Sequence, residues 1–124
     1  MRIVLAEREA ELMQVLWQHG PSTVSEVRDR LKDTLAYTTV LTILRKLEVK
    51  DYVTHESDGR AHRYSARVAR AAARKSALRD LARKLFEGST ELLLTHLVFD
   101  EHLTDEQVRR LRRLLQGRQK NAEQ

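Results

Sequence analysis

The chain has 124 residues, of which 41% are hydrophobic and 33% are charged, and its formal net charge is +5. This length and apolar fraction predict one compact domain, or a small domain with an appendage, and exclude a disordered chain. An aromatic content of 5% argues against a stacking platform for single-stranded nucleic acid, and the lack of cysteine excludes disulfides and thiolate metal sites. No apolar run approaches the roughly 20 residues that cross a bilayer, and the N-terminus turns acidic within a few residues, so we expect a cytoplasmic protein without a signal peptide.

The first third of the sequence predicts two helices. Apolar residues recur at helical spacing along AEREAELMQVLWQHG, which a proline follows, and Trp17 is expected to anchor the core. Thr23 and Glu26 have the spacing of a capping box, in which each side chain accepts a hydrogen bond from the backbone N–H of the other residue. A second helix is therefore expected to begin here and to run to about residue 32.

The stretch YTTVLTILRKLE, residues 37–48, predicts a third helix with one apolar and one polar side. The predicted polar side carries Thr38, Thr39, Thr42, Arg45 and Lys46. In a helix–turn–helix, the second helix places the residues near its N-terminus in the major groove of DNA. Threonine suits that position because its hydroxyl can donate to phosphates, its methyl group can contact thymine, and its small size permits close approach. We therefore predict DNA contacts from these five residues and from Tyr37, whose hydroxyl is expected at a phosphate.

A β-hairpin is predicted directly after the third helix. Two short alternating stretches, residues 52–56 and 61–65, flank the turn signal Ser-Asp-Gly at 57–59, and a short strand around 21–23 would add a third edge. Three helices followed by a two-stranded wing are typical of a winged helix. In the wing, Arg60, His62 and Arg63 are predicted to meet a phosphate or the minor groove.

The second half of the sequence predicts three further helices. Residues 67–87 contain seven basic and two acidic residues, Ser89 is a candidate N-cap for the next helix, and Thr104 and Gln107 form a second capping box. These helices carry more leucine than they can bury alone, which predicts a dimer interface. The predicted interface residues are Leu78, Leu81, Leu85, Leu93, Leu97, Val108, Leu111, Leu114 and Leu115. We accordingly predict a mainly α-helical protein with a small β-wing, comprising a winged helix DNA-binding domain over 1–66 and a helical dimerisation domain over 67–124.

The runs ELMQVLWQHGPSTVSEVRDRL, LAYTTVLTILRKLEVKDYV and RAHRYSA together resemble the penicillinase-repressor family of bacterial transcription factors, the BlaI/MecI family, over essentially the whole chain. The resemblance implies a dimeric winged-helix repressor on an inverted-repeat operator of double-stranded DNA. The positions that match the family's recognition helix are Thr38, Thr39, Thr42 and Arg45, with wing contacts over 60–63.

Two properties of known family members are not expected to transfer to this chain. The best-known members are inactivated by a protease that cleaves an Asn-Phe bond after the DNA-binding domain. The matching pair here is His96-Leu97, which argues against cleavage by the same kind of inactivating protease. Copper-responsive relatives carry cysteines near the C-terminus, and this chain has none.

Several features of the sequence bear on functions other than DNA binding. His96, Asp100, Glu101 and His102 are metal-ligand types, but they lie at a helix end, where such residues are usually solvated, so no metal or other cofactor is expected. The sequence lacks a glycine-rich phosphate loop and a nucleophile with a plausible base, so we do not expect an enzyme. The basic, amphipathic stretch QVRRLRRLLQGRQK also fits a membrane-surface helix, although a dimer seam accounts for it equally well. A winged-helix protein-interaction module and a non-specific DNA-binding protein remain open as alternatives.

Overall fold

A computed structural model describes the backbone of residues 1–123 and the side chains of residues 1–119. The elements in chain order are α1 (Glu7–His19), β1 (Ser22–Thr23), α2 (Val24–Arg30), α3 (Tyr37–Val49), β2 (Val53–Asp58), β3 (Ala61–Ala66), α4 (Arg70–Leu85), α5 (Thr90–Asp100) and α6 (Asp105–Glu123). The predicted fold class, mainly helical with a small β-wing, is confirmed. The chain divides into two compact units, Met1–Asp80 and Leu81–Gln124.

Capping hydrogen bonds are present at the N-termini of three helices, at the residues predicted from the sequence. The Thr23 hydroxyl accepts a hydrogen bond from the Glu26 N–H at 3.2 Å, and the Glu26 carboxylate accepts one from the Thr23 N–H at 3.0 Å. Thr104 and Gln107 form the same reciprocal pair at the start of α6, at 3.1 and 2.9 Å. Ser89 caps α5 through a single bond of 3.0 Å to a backbone N–H. Each cap satisfies donors that the first helical turn leaves unpaired, which typically contributes about 1 kcal/mol.

The three strands form an antiparallel sheet in the order β1-β3-β2. Ser22 of β1 pairs with Tyr64, and the hairpin runs from the pair Val53–Ala66 to the pair Asp58–Ala61. The short third strand predicted near 21–23 is therefore confirmed. Gly59 lies at the tip with φ of 64°, the left-handed conformation that glycine adopts without strain.

The core of the first unit lies between α1, α2, α3 and the sheet. Its most deeply buried side chains are Leu12, Met13, Val27, Val40, Leu44, Leu47, Val53 and Tyr64. The same apolar cluster includes Val68 and Ala73, so the beginning of α4 belongs to it. Trp17 is half-buried against this core, and its indole N–H donates to the Val68 carbonyl at 2.8 Å. The predicted anchoring role of Trp17 thus includes a polar bond to the segment that leads into α4.

The second unit contains α5 and α6. Leu93 is buried at 8% exposure, and the rings of Phe86 and His96 meet edge to face at 5.3 Å. His96 also lies 3.0 Å from an Asp100 carboxylate oxygen within α5, so the His96–Leu97 bond is inside a helix. The part of the chain that the structure describes contains no group of three or more His, Asp or Glu residues able to hold a metal ion. Nor does any described helix combine the length and apolar character needed to cross a membrane.

Candidate nucleic-acid interface

The third helix separates its apolar and polar sides as predicted. Val40, Leu44 and Leu47 are fully buried in the first unit. The opposite side is exposed and carries Thr38, Thr39, Thr42, Arg45 and Lys46. The helix therefore presents three hydroxyls and two cations on one open surface, which we call the α3 polar face.

The hydroxyls on the α3 polar face are not equivalent. The Thr42 hydroxyl donates to the Thr38 carbonyl at 2.8 Å, one turn earlier in the helix. This bond uses the only hydroxyl proton of Thr42 and leaves its oxygen able to accept. Thr38 and Thr39 are exposed in the first turn, where a hydroxyl can donate to a phosphate. Thr38 and Thr39 at the start of the helix are therefore candidate hydrogen-bond donors, whereas Thr42, one turn later, offers an acceptor oxygen and a methyl group.

The N-terminus of α3 also differs from those of α2, α5 and α6. Its N-cap is Ala36, which offers no side-chain hydrogen bond, and the first turn contains no acidic residue. The first backbone N–H groups and the positive end of the helix dipole therefore remain available to an anion. Tyr37 occupies the first position of the helix and is 43% exposed. A phosphate placed here would meet the helix N-terminus and the side chains of the first turn together.

In the wing, the structure distinguishes the two predicted arginines. The Arg63 guanidinium donates to Asp58 at 3.0 and 2.9 Å, to Glu26 at 3.1 Å and to the Pro21 carbonyl at 3.2 Å. These bonds use four of its five N–H donors and tie the wing to the start of α2. The hydrogen bond to Asp58 and the charge of Glu26 raise the pKa of Arg63 above its usual value. Arg60, by contrast, is exposed beside Gly59 at the hairpin tip.

His62 lies in a cluster that sequence reasoning did not identify. Its ring stacks on His55 of β2, with centroids 4.6 Å apart and an interplanar angle of 11°. Nδ1 of His55 lies 2.6 and 2.9 Å from the two carboxylate oxygens of Glu48, near the end of α3. The register pairs Ser57 with His62, so strand alternation places both histidines on one face of the hairpin. The hairpin register predicted from the sequence could have indicated the histidine pair. The contact with Glu48 could not be predicted in this way, because it depends on how α3 packs against the hairpin.

Eight of the nine predicted interface residues are exposed in the single chain. Their exposed fractions range from 36% for Val108 to 73% for Leu85, whereas Leu93 is 8% exposed. Sequence reasoning missed Phe99 at the end of α5, whose exposed fraction is 81%, and Leu94 and Val98 in the same helix. Exposed apolar side chains in this number are typical of a surface to which another molecule binds.

The geometry of the first unit, three helices followed by a wing, is that of the winged-helix class. Two solved structures share the fold. A MarR family protein from Bacillus stearothermophilus has a TM-score of 0.51 and 18% sequence identity, and the match covers 98% of this chain and 78% of that chain. The transcriptional regulator Tm0710 from Thermotoga maritima has a TM-score of 0.51 and 17% identity, and the match covers 97% of this chain and 80% of that chain.

Sequence comparison narrows this class to one family. A family model described as penicillinase repressor matches residues 5–117. The transcriptional regulator BlaI of Mycobacterium tuberculosis is 36% identical over 115 residues, which cover 90% of this chain and 82% of that protein. The penicillinase repressor of Bacillus licheniformis is 21% identical over 114 residues, covering 90% and 89%. The chain belongs to the penicillinase repressor family, and the resemblance noted from the sequence is confirmed.

Proposed function

We propose that this protein is a transcriptional repressor that acts in the cytoplasm by binding, as a homodimer, an inverted-repeat operator in promoter DNA. The observation that carries the proposal is the α3 polar face, with exposed hydroxyls and cations beside a helix N-terminus that no side chain caps. Membership of a family whose related proteins are named as transcriptional regulator and penicillinase repressor supports the same function.

On this proposal, α3 enters the major groove and its first turn meets the DNA backbone. Tyr37, Thr38 and Thr39 contact phosphates near the helix N-terminus. Arg45 lies about two turns further along and reaches base edges, where arginine favours guanine, while Lys46 contacts a phosphate. The contacts to phosphates supply affinity, and those to bases supply sequence preference.

The wing is proposed to lie along the adjacent DNA backbone and to contact it through Arg60. The tip position leaves the Arg60 side chain free to extend toward a phosphate or the minor groove, whereas Arg63 holds the wing in place through Asp58 and Glu26. His62 extends the contact surface toward the base of the wing.

The homodimer is proposed to form through the second unit. Val108, Leu111, Leu114 and Leu115 lie on one side of α6, and arginines occupy the opposite side. Burying such an apolar stripe against its copy in a second chain is favourable by roughly 25 cal/mol per Å² of apolar surface removed from water. A twofold dimer would place two α3 helices in successive major grooves, about 34 Å apart, so that its operator is an inverted repeat.

A second candidate function is sequence-independent DNA binding through the basic helix α4. Residues 67–87 carry seven basic side chains, and Arg74 and Arg79 are exposed among them. Such binding would depend on phosphates alone, so it would be sensitive to salt and indifferent to base sequence.

One experiment separates these two candidates. Binding sites are selected from random duplex DNA with the full chain, and the best site is then footprinted. The repressor proposal predicts a twofold-symmetric site that is protected on two adjacent major-groove faces. The double variant Thr39→Ala/Arg45→Ala should bind this site about 100-fold more weakly than the wild type. The matched variant Arg74→Ala/Arg79→Ala should retain that site. If only sequence-independent binding is found, and the α4 variant abolishes it, the repressor proposal is wrong.

A further inference from the structure

A stacked pair of histidines lies where the wing meets α3. The rings of His55 and His62 are 4.6 Å apart and nearly parallel, and the tilted ring of Tyr64 is 5.3 Å from that of His55. Glu48 holds the pair from the α3 side through Nδ1 of His55. His62 is exposed, whereas His55 and Glu48 are each about one-third exposed, so one end of the cluster is open to a ligand.

The contact with Glu48 determines where protons reside in this cluster. An ionised carboxylate only accepts hydrogen bonds, so His55 donates to Glu48 through Nδ1, and a proton taken up by His55 would go to Nε2. A second proton, on His62, would place two like charges in stacked rings. An anion bound at the exposed end of the pair would offset the repulsion between these two positive charges.

The charged and titratable groups around the pair come from α3 and from both strands of the wing. From α3, the guanidinium of Arg45, the phenol of Tyr37 and the carboxylate of Glu48 are close enough to Tyr64 to influence its ionisation. From β3 the neighbours are His62 itself and Tyr64. On β2, alternation directs Glu56 and Asp58 to the opposite face, where Arg63 pairs with Asp58. The acidic side chains of β2 therefore lie on the face opposite the histidine pair, and the carboxylate that contacts the pair is that of Glu48.

We propose that the His55–His62 pair is a proton-linked phosphate-binding site, at which a DNA backbone phosphate binds together with a proton. This inference rests on the proposed function, because the phosphate belongs to the operator duplex on which α3 is docked. Histidine is the side chain that ordinarily changes charge between pH 5 and 8, so the linkage acts in the physiological range. Phosphate binding favours the doubly protonated pair, and by reciprocity protonation of the pair strengthens DNA binding. Glu48 acts as a positioning residue, since it holds His55 through Nδ1 and does not itself meet the DNA.

The test is the pH dependence of affinity for the selected operator at constant ionic strength. If each wing takes up one proton, the affinity of the wild-type dimer should rise about tenfold or more between about pH 8 and about pH 6. His62→Gln keeps a polar side chain of similar size but cannot take up a proton, so it should remove most of this rise. His19→Gln, at the end of α1, is the matched control and should keep the wild-type profile. Glu48→Gln retains an acceptor for Nδ1 but lacks the charge, so its rise should begin at lower pH.

A second measurement follows the proton directly. The ring resonances of His55 and His62 are titrated by NMR in the free protein and in the operator complex, and the midpoint for His62 should move to higher pH when DNA is bound. An unchanged midpoint, or equal pH profiles for wild type and His62→Gln, overturns the proton-linked site while leaving the repressor intact. Loss of operator binding at every pH in the wild type would instead contradict the proposed function.

Discussion

The ammonium group of Lys50 lies 2.8 Å from a carboxylate oxygen of Glu9, so the residue that follows α3 is joined to the first turn of α1. Glu9 is buried, and it also accepts a hydrogen bond of 2.8 Å from the Ala6 N–H. This pair helps to hold the α3 polar face in a fixed orientation on the core.

The Glu9–Lys50 pair predicts an acid-sensitive contribution to stability. Burial opposes ionisation of Glu9, but the hydrogen bonds from Lys50 and the Ala6 N–H outweigh it, and the pKa lies below its ordinary value of 4.5. A carboxyl group with a lowered pKa stabilises the fold above its unfolded pKa, and this stabilisation is lost as pH falls through the folded value. Glu9→Gln should reduce the free energy of unfolding at neutral pH by about 1–2 kcal/mol and flatten its decline on acidification.

Urea denaturation at neutral and acidic pH measures both effects of Glu9→Gln. The control is Glu11→Gln, which removes only an exposed pair with Arg8 on the same helix. If Glu9→Gln and Glu11→Gln have the same small effect, the Glu9–Lys50 pair does not stabilise the fold.

The two wing arginines should respond differently to removal. Arg60→Ala should leave thermal stability unchanged and reduce the salt dependence of operator binding, since each phosphate contact contributes about 0.9 to the slope of log affinity against log salt. Arg63→Ala should lower the melting temperature, because Asp58 loses its arginine partner and Glu26 loses one of its two arginine partners. Thermal denaturation and a salt series on both variants test the assignment. A reversed pattern would make Arg63 the DNA contact and Arg60 the structural residue.

The threonines of the α3 polar face should also differ in how much they contribute to operator affinity. Thr39→Val removes a hydroxyl proposed to donate to a phosphate, so operator affinity should fall about tenfold, as expected for one lost hydrogen bond of about 1.4 kcal/mol. Thr42→Val removes a hydroxyl whose proton is already used by the Thr38 carbonyl, and affinity should change less than threefold or so, within the scatter of a neutral substitution. Each variant retains a branched side chain of nearly the same shape. Equal losses in the two would mean that the internal bond of Thr42 breaks on binding.

The exposed leucines of α6 predict a dimer that charge can disrupt. Leu111→Glu/Leu114→Glu should yield monomers that bind a single half-site weakly, because two charged groups would be buried without partners at the interface. Arg109→Glu/Arg113→Glu introduces the same side chains on the opposite side of the helix and should leave the dimer intact. Analytical ultracentrifugation distinguishes the two states. A dimer that persists in the leucine variant places the interface elsewhere.

Leu93 should behave differently from its neighbours in the predicted interface. It is buried in the single chain, so Leu93→Ala should destabilise the fold by about 2–4 kcal/mol through cavity formation. Leu97→Ala, at an exposed position of the same helix, should have a much smaller effect on the unfolding of the monomer. Chemical denaturation at low protein concentration, which would dissociate the proposed dimer, makes this comparison. Similar losses for both would show that the exposed position is also packed within the chain.

The elements themselves were predictable because their signals are local. Thr23 with Glu26, and Thr104 with Gln107, are capping boxes that close over three residues, and the turn before Gly59 brings adjacent strands together. Such interactions depend on neighbours in the chain, and a periodic apolar pattern needs no knowledge of the partner that covers it. The winged-helix fold and the exposed side of α3 follow from these signals.

Only the tertiary structure decided what each polar side chain does. Arg60 and Arg63 are equivalent in the sequence, and only the packing of the wing against the start of α2 brings Glu26, 37 residues away, to Arg63. Likewise, Glu48 and His55 look like ordinary surface residues until the hairpin folds back onto α3. A charged side chain is satisfied by whichever partner the fold brings within about 3 Å, and that choice is made between segments far apart in the chain. For this reason the sequence by itself predicted the surface that we propose to face DNA, whereas the fold decided which residues on that surface remain available.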